Sequence, residues 1–410
     1  MSEPRTSRHA LVFIFITMLV DTIGLGIIIP VTPKLIVELT GQGMSEAARW
    51  GGWLYFVYAL MQFICAPAIG SLSDRFGRRP VLIASLGMLG VDYLVTALAP
   101  TILWLFIGRF LAGVAGAAYP TANAYIADVS PPEKRAANFG LVGAAFGIGF
   151  VIGPAIGGLL GQYGARLPFY VAAAIAFCNA LYGSVVLKES LPKENRRKFE
   201  FWRANPLGAL MALRRFPTML GLFGVTVLMR LAHDANPVLW TYYTMLKFNW
   251  SSAQVGYSLM VIGAMLTLVY SFVPRIAVPR LGEVRSAYLG LACGAIGFMG
   301  YAFATQGWML YGWMAVFVLM GLSGPAINAI MSRQVGPTEQ GELQGALASL
   351  GSLTSVAAPP LLSNLFGYFT GRDAPVYFPG AGFFVASLFL AAAALLLARV
   401  QRAPQPQAAM

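Results

Sequence analysis

GSLSDRFGRRP, residues 70–80, sets Asp74, Arg75, Arg78 and Arg79 between two strongly apolar runs, LYFVYALMQFICAPAI before it and VLIASLGMLG after it. A helix that crosses a bilayer needs roughly 20 apolar residues. Short loops that join such helices on the cytoplasmic side collect Lys and Arg. The stretch therefore reads as a tight cytoplasmic turn between two membrane spans. Gly70 and Gly77 permit the turn, because glycine accepts backbone angles closed to other residues.

The rest of the chain repeats this alternation. Of 410 residues, 58% are hydrophobic and 11% charged, where a soluble domain carries about 25% charged. Twelve spans are expected, near 10–32, 50–72, 80–98, 102–127, 138–162, 167–188, 217–246, 253–273, 285–304, 308–332, 342–367 and 379–400. The formal charge of +12 invites a nucleic-acid partner. Its distribution argues against one. With both termini cytoplasmic, only Lys34, Arg49, Arg166, Lys247 and Arg372 fall outside and only Arg109 and Arg230 at depth within spans, Lys188, Arg285 and Arg399 standing at cytoplasmic span ends. The other basic residues gather on the cytoplasmic side, so the charge reports orientation. LVFIFITMLVDTIGLGIIIPV, residues 11–31, is too long for a signal-peptide core and lacks a small-residue cleavage site, so it reads as a retained first helix. Cys65, Cys178 and Cys293 show no metal-ligand spacing and read as packing residues.

The most polar stretch, KESLPKENRRKFEFWRANP at 188–206, lies near the middle of the chain. It divides the sequence into an expected N-terminal six-helix bundle (1–188), a cytoplasmic linker (189–216) and a C-terminal six-helix bundle (217–410). The halves are weakly repeated. DRFGRRP at 74–80 aligns with PRLGEVR at 279–285, a shift of 205 residues that also carries Gly153-Pro154 onto Ala358-Pro359 and Gly140 onto Gly345. LAGVAG at 111–116 matches LMGLSG at 319–324 at nearly the same shift. Internal repeats of this kind build many secondary transporters, whose sites lie at the repeat interface.

A few ionisable residues fall within the spans, where a charge is expensive and usually functional. Asp21 precedes Gly24, Gly26 and Pro30 in DTIGLGIIIPVTPKL, and a carboxylate kept from bulk water can carry protons. Arg109, in GRFLAGVAGAAYP at 108–120, requires a polar cavity or an acidic partner. Asp92 is either that counter-ion or a packed helix-end residue. In LMRLAHDANPVLW, residues 228–240, Arg230, His233 and Asp234 stand at i, i+3 and i+4 and share a helix face. They are either a self-neutralised Arg230–Asp234 pair beside a hydrogen-bonded histidine, or a cavity-facing group in which His233 switches charge near neutral pH. Pro237 frees the carbonyl of His233 and weakens the helix there. Spans 8 to 12 hold no mid-span acid, so proton-carrying carboxylates are confined to Asp21, Asp92 and Asp234. Trp240, Tyr242, Tyr243, Phe56 and Tyr58 suit either an aromatic ligand cavity or an interfacial belt. Asn328, in GPAINAI, is a further polar candidate.

GAAFGIGFVIGPAIGG, residues 143–158, spaces Gly149, Gly153, Gly157 and Gly158 around Pro154, a pattern that by periodicity alone is a packing face. Taken together, the motifs resemble the major facilitator superfamily. GSLSDRFGRRP is similar to its signature loop, in which the aspartate, arginines and glycines latch one conformation. That resemblance gives the latch role to Gly70, Asp74, Arg75, Gly77, Arg78 and Arg79. GRFLAGVAGAAYP resembles the fourth-helix motif whose arginine is tied to proton coupling. The glycine-proline run resembles the motif of the drug–proton antiporter branch. DTIGLGIIIPV, LYFVYALMQFICAPAIGSLSDRFGRRPVL and GELQGALASL look like the tetracycline-resistance exporter family. The Arg230/Asp234 pair departs from that pattern.

The expectation is an all-α membrane protein of twelve helices in two pseudo-symmetric bundles that rock about a midplane cavity. It would export an amphipathic, tetracycline-like compound across a bacterial inner membrane against proton entry. Asp21, Asp92, Arg109, His233 and Asp234 would handle protons. Arg230, His233, Asp234, Trp240, Tyr243, Asn328 and Tyr58 would contact substrate. The alternative is a proton-coupled importer of an organic acid or nutrient, gripped by Arg109 and Arg230. The lipid bilayer is the surrounding partner, the unit is expected to be a monomer, and no cofactor or metal is expected. The sequence holds no GxxxxGK[ST] run and only His9 and His233 as histidines, which argues against ATP-driven or enzymatic action.

Overall fold

The computed structural model describes residues 8–117, 119–197, 216, 219–336 and 338–402. Residues 198–215 of the expected linker lie outside them. All regular structure among the described residues is helical. Lipid leaves no water for unpaired backbone groups, and a helix satisfies its own.

The order is α1 (Arg8–Ile28), α2 (Thr32–Thr40), α3 (Met44–Phe76), α4 (Arg78–Leu98), α5 (Ile102–Gly116), α6 (Tyr119–Val129), α7 (Arg135–Leu160) and α8 (Leu167–Val186). After the linker come α9 (Leu220–His233), α10 (Ala235–Phe248), α11 (Ser252–Leu281), α12 (Glu283–Phe303), α13 (Gly307–Phe317), α14 (Ser323–Ser332), α15 (Gln340–Thr370) and α16 (Ala381–Arg402). Ten helical stretches among the described residues are long and apolar enough to cross a membrane, two of them combining α5 with α6 (Ile102–Val129) and α13 with α14 (Gly307–Ser332). The first span is a bent pair instead, Ile14–Ile28 with Thr32–Thr40, turned by 46°. The seventh is broken at Asp234 into α9 and α10 of 14 residues each. Each half is about 21 Å long, short of a bilayer's hydrocarbon thickness. Pro237, three residues past the break, cannot donate to the His233 carbonyl. The order of spans otherwise follows the sequence expectation.

The residues pack as two compact units, one of Met1–Pro206 with Thr244–Ala264, the other of Leu207–Tyr243 with Met265–Met410. In the first unit, α7 carries two small-residue faces. Gly149, Gly153 and Gly157 lie against α1: a Cβ on Gly153 would sit 2.7 Å from the Ile23 carbonyl oxygen, and one on Gly26 would meet Pro154 at 2.7 Å. Gly158 and the Pro154 carbonyl meet Gly256 of α11, where a Cβ on Gly256 would collide with that oxygen. Between helices in lipid such close backbone approach supplies the dispersion contact that a hydrophobic effect cannot.

The second unit is held by aromatic packing. Trp240 stands edge-on to Tyr301 at 5.2 Å, Tyr243 meets Phe383 at 4.9 Å, and Phe298 stacks on Phe383 at 6.0 Å. The Tyr243 hydroxyl donates to the Tyr301 carbonyl.

Gly157→Ala should therefore loosen α1 from α7, since its Cβ would fall on the Ile27 carbonyl. Overpacking of this kind costs about 1–3 kcal/mol, read as a lower thermal-unfolding midpoint in detergent. Gly143→Ala, on the same helix with nothing near its Cβ, should leave the midpoint in place.

Candidate transport site

In the first unit a polar group forms where α1, α3, α4 and α5 meet. Arg109 on α5 donates to Asp92 on α4 at 2.6 Å, and Thr96 donates to the other Asp92 oxygen at 3.4 Å. The Asp92 side chain is fully buried and that of Arg109 is 18% exposed. Of the two roles open to Asp92, the structure shows the counter-ion. Gly108 leaves room for it, because a Cβ there would lie 2.6 Å from the carboxylate.

Asp21, half-buried on α1, has no ion pair or side-chain hydrogen bond among the described residues. It lies within electrostatic reach of Tyr58 and Tyr93, as do Asp92 and Arg109. Tyr93, missed in the sequence, is wholly buried with a hydroxyl that finds no partner among the described residues. That hydroxyl sits against Gly24, one helical turn from Asp21. Tyr58 faces Gly116, beside the Gln62 amide that donates to the Gly116 carbonyl at 3.2 Å. The chemistry available is a fixed ion pair next to an uncommitted carboxylate.

In the second unit, Arg230 and His233 are exposed and Asp234 is half-buried at the helix break. Arg230 makes no ion pair with Asp234, although the two are four apart. The Asp234 carboxylate lies 3.8 Å from His233 Nδ1 through one oxygen, while the other oxygen is buried without a partner among the described residues. Arg230 lies instead over Gly351 of α15, within electrostatic reach of Tyr270 on α11. Asn328 on α14 accepts from the Gln344 amide of α15 at 3.0 Å. Trp240 and Tyr243 are 2% and 0% exposed. Their rings are committed to the aromatic core, so their expected substrate contact is corrected to packing.

The cytoplasmic loop is built more widely than its own motif. Gly77 has φ +106 and Arg78 begins α4. Arg78 binds Asp74 at 2.5 Å, Ser73 at 2.6 Å and, from the end of α6, Asp128 at 3.4 Å. Glu189, just past α8, accepts the Arg78 backbone N–H at 2.8 Å and stands close enough to Gly77 to exclude a Cβ there. Arg79 donates to the Ser184 carbonyl at 2.6 Å. Arg75 lies over the Phe76 ring at 5.0 Å, and Gly70 accepts from Ser73. Shifted by 205 residues, the same arrangement recurs with its charges exchanged. Gly282 has φ +78, and Glu283 at the start of α12 pairs with Arg333, past the end of α14, at 2.7 Å. Neither Asp128 nor this second pair was singled out in the sequence, though the repeat pointed to the second.

Residues 14–359 match the family model described as Major Facilitator Superfamily. The chain is 40% identical over 360 residues to the class C tetracycline resistance protein of Escherichia coli, covering 88% of this chain and 90% of that protein. It is 31% identical over 392 residues to the class B protein of the same organism, covering 95% and 97%. Multidrug resistance protein 2 of Bacillus subtilis matches at 29% over 363 residues, 86% of this chain and 88% of that one. Among solved structures, the nucleoside transporter NupG superposes with a TM-score of 0.78 at 12% identity, covering 96% of this chain and 100% of that one. A bacterial homologue of the human lysosomal transporter Spinster superposes at 0.76 and 17%, covering 98% of each.

Asp92→Asn strands a buried arginine, which costs about 3–5 kcal/mol and should lower the unfolding midpoint of the purified protein. The double change Asp92→Asn with Arg109→Gln should recover most of the loss, because no unpaired charge then remains.

Proposed function

Because the chain belongs to the Major Facilitator Superfamily, a family of transporters and not of enzymes, we propose that it exports amphipathic drugs of the tetracycline class in exchange for protons. Transport runs by alternating access across a bacterial inner membrane, with both termini in the cytoplasm. The bundles of residues 1–188 and 217–410, joined by the linker 189–216, are the moving parts. The observation that carries the reading is Asp21, a carboxylate at membrane depth without a partner among the described residues, in a chain so similar to tetracycline resistance proteins. A carboxylate so placed takes a proton or meets a cationic or hydrogen-bonding drug, and the two occupancies exclude each other. Arg109 and Asp92 neutralise one another beside it and hold the local field steady. Arg230, His233, Asp234 and Asn328 supply polar contacts to the drug, and His233 with Asp234 offers a second proton route. The glycine-proline face of α7, packed on α1, keeps the Asp21 helix in place. The loop of Gly70, Asp74, Arg75, Gly77, Arg78 and Arg79 acts as the latch, extended by Asp128 and Glu189.

In everted vesicles under an imposed proton gradient, adding tetracycline should release protons from wild type and not from Asp21→Asn. Proton release that persists in the variant removes Asp21 from the mechanism. Accumulation of drug by whole cells, instead of depletion, would reverse the direction.

The second loop gives an independent check on latching. Glu283→Arg sets two cations against each other and should lower drug resistance of a pump-deficient host at equal expression. Adding Arg333→Glu should restore it. The Arg333 side chain is 76% exposed and that of Glu283 17%, so an unfolding midpoint measured on each variant separates loss of the ion pair from loss of the fold.

A further inference from the structure

Arg109 and Arg230 both lie within expected spans, yet their surroundings differ in kind. Arg109 meets Asp92 at 2.6 Å. Arg230 has no carboxylate within ion-pair distance and no side-chain hydrogen bond among the described residues. It stands four residues before the break in the seventh span, about 6 Å along the axis from the middle of Leu220–Phe248. A guanidinium there is tolerated only against water or a ligand.

The neighbours favour a ligand. Arg230 is exposed, with one side of its guanidinium against Gly351: the nearest guanidinium atom lies 3.7 Å from where a Cβ on Gly351 would stand. Ala348 and Ser355, a helical turn either side of Gly351 on α15, are also small. Tyr270 on α11 brings a phenol within electrostatic reach, and its ring packs on Gly321. The nearest acid in sequence, Asp234, directs one oxygen to His233 and buries the other. The result is a fork of donors over a small-residue wall, with its own acid turned aside. A planar guanidinium fits carboxylates and similar delocalised oxyanions with two parallel hydrogen bonds.

We infer that Arg230, backed by Gly351 and flanked by Tyr270, is the subsite that selects substrates carrying an acidic oxyanion, a carboxylate or enolate, on an apolar body. The inference rests on the reading of this face as a drug contact, and it names the charge the drug brings to it.

Fluorescence anisotropy on the purified full chain in detergent tests it without any proton gradient, and so fails or succeeds separately from the export reading. The probes are fluorescein, an anionic xanthene, and rhodamine 123, a cationic ester on the same ring system. Wild type should bind fluorescein, Arg230→Gln should weaken that binding at least tenfold, and rhodamine 123 should be unaffected or tightened. Arg230→Lys, which keeps the charge and loses the fork, should fall between wild type and Arg230→Gln. Asp234→Asn should tighten fluorescein by removing a nearby negative charge that repels the dye. A monodisperse gel-filtration profile and an unchanged unfolding midpoint keep the Arg230→Gln result interpretable, and Asp234→Asn provides a readout of opposite sign. Equal fluorescein affinity in wild type and Arg230→Gln, or no fluorescein binding by wild type, overturns the assignment. A parallel loss of both dyes would mark Arg230 as structural and overturn it as well.

Discussion

An ionised side chain carried to membrane depth must be answered by an opposite charge, by water or by a ligand, and the polar architecture of this protein follows from how each one is answered. Arg109 is answered inside the protein by Asp92, with Thr96 on the remaining oxygen and Gly108 making room. That arrangement is closed: each group has a partner within the protein. Asp21 and Arg230 are open, one in each compact unit. Insertion of a charge into a helix centre costs about 2.5–3.5 kcal/mol even on lenient scales. Each of the two lies at that depth without an ion-pair partner among the described residues.

Rigid surroundings are what make an open group useful. The α1 helix bearing Asp21 is pressed against α7 by three glycines, with Ile23, Gly26 and Ile27 at backbone contact distance. Tyr93 closes the same helix from the α4 side, against Gly24. The Asp21 carboxylate is thus mounted on a helix that has little freedom to slide. The mount of Arg230 is different. Its helix stops three residues later, at His233, and resumes at Ala235 with Pro237 in the new first turn. Past the break, Trp240 and Tyr243 anchor the second segment in an aromatic cluster with Tyr301 and Phe383. One side of the break is fixed and the other carries the charges.

Much of the fold was legible because bilayer chemistry writes itself plainly into sequence. Apolar runs of span length, polar interruptions and the sidedness of Lys and Arg gave the helix order, and Pro237 marked the seventh span as weak. What the sequence could not convey is which way a side chain turns. Trp240 and Tyr243 have the composition of a ligand wall, and only tertiary packing directs their rings inward. Arg230 and Asp234 have the spacing of an ion pair and keep the helical register, with the Asp234 N–H on the Arg230 carbonyl at 3.0 Å, yet the Arg230 side chain lies over Gly351 and the Asp234 carboxylate turns towards His233. Arg78 reaches Asp128 and Glu189 across 50 and 111 residues of chain, separations at which no local pattern exists.

The duplicated loop shows what a repeat preserves. Gly77 and Gly282 both hold a positive φ that only glycine adopts freely, and each is followed by the first residue of a helix. The backbone device is kept while the charges are exchanged: Arg78 with Asp128 in the first half, Glu283 with Arg333 in the second. Coulomb attraction depends on the product of two charges, so exchanging both leaves the sign of the pairing as it was. Its strength is another matter, because burial differs between the two. The Arg78 side chain is 12% exposed and shared among Asp74, Ser73 and Asp128, whereas Arg333 is 76% exposed and has Glu283 alone as its salt-bridge partner among the described residues. Water reaches the second pair from the Arg333 side, while the Glu283 side chain is only 17% exposed. The first loop thus spreads one cation over several acceptors, whereas the second rests on a single pair.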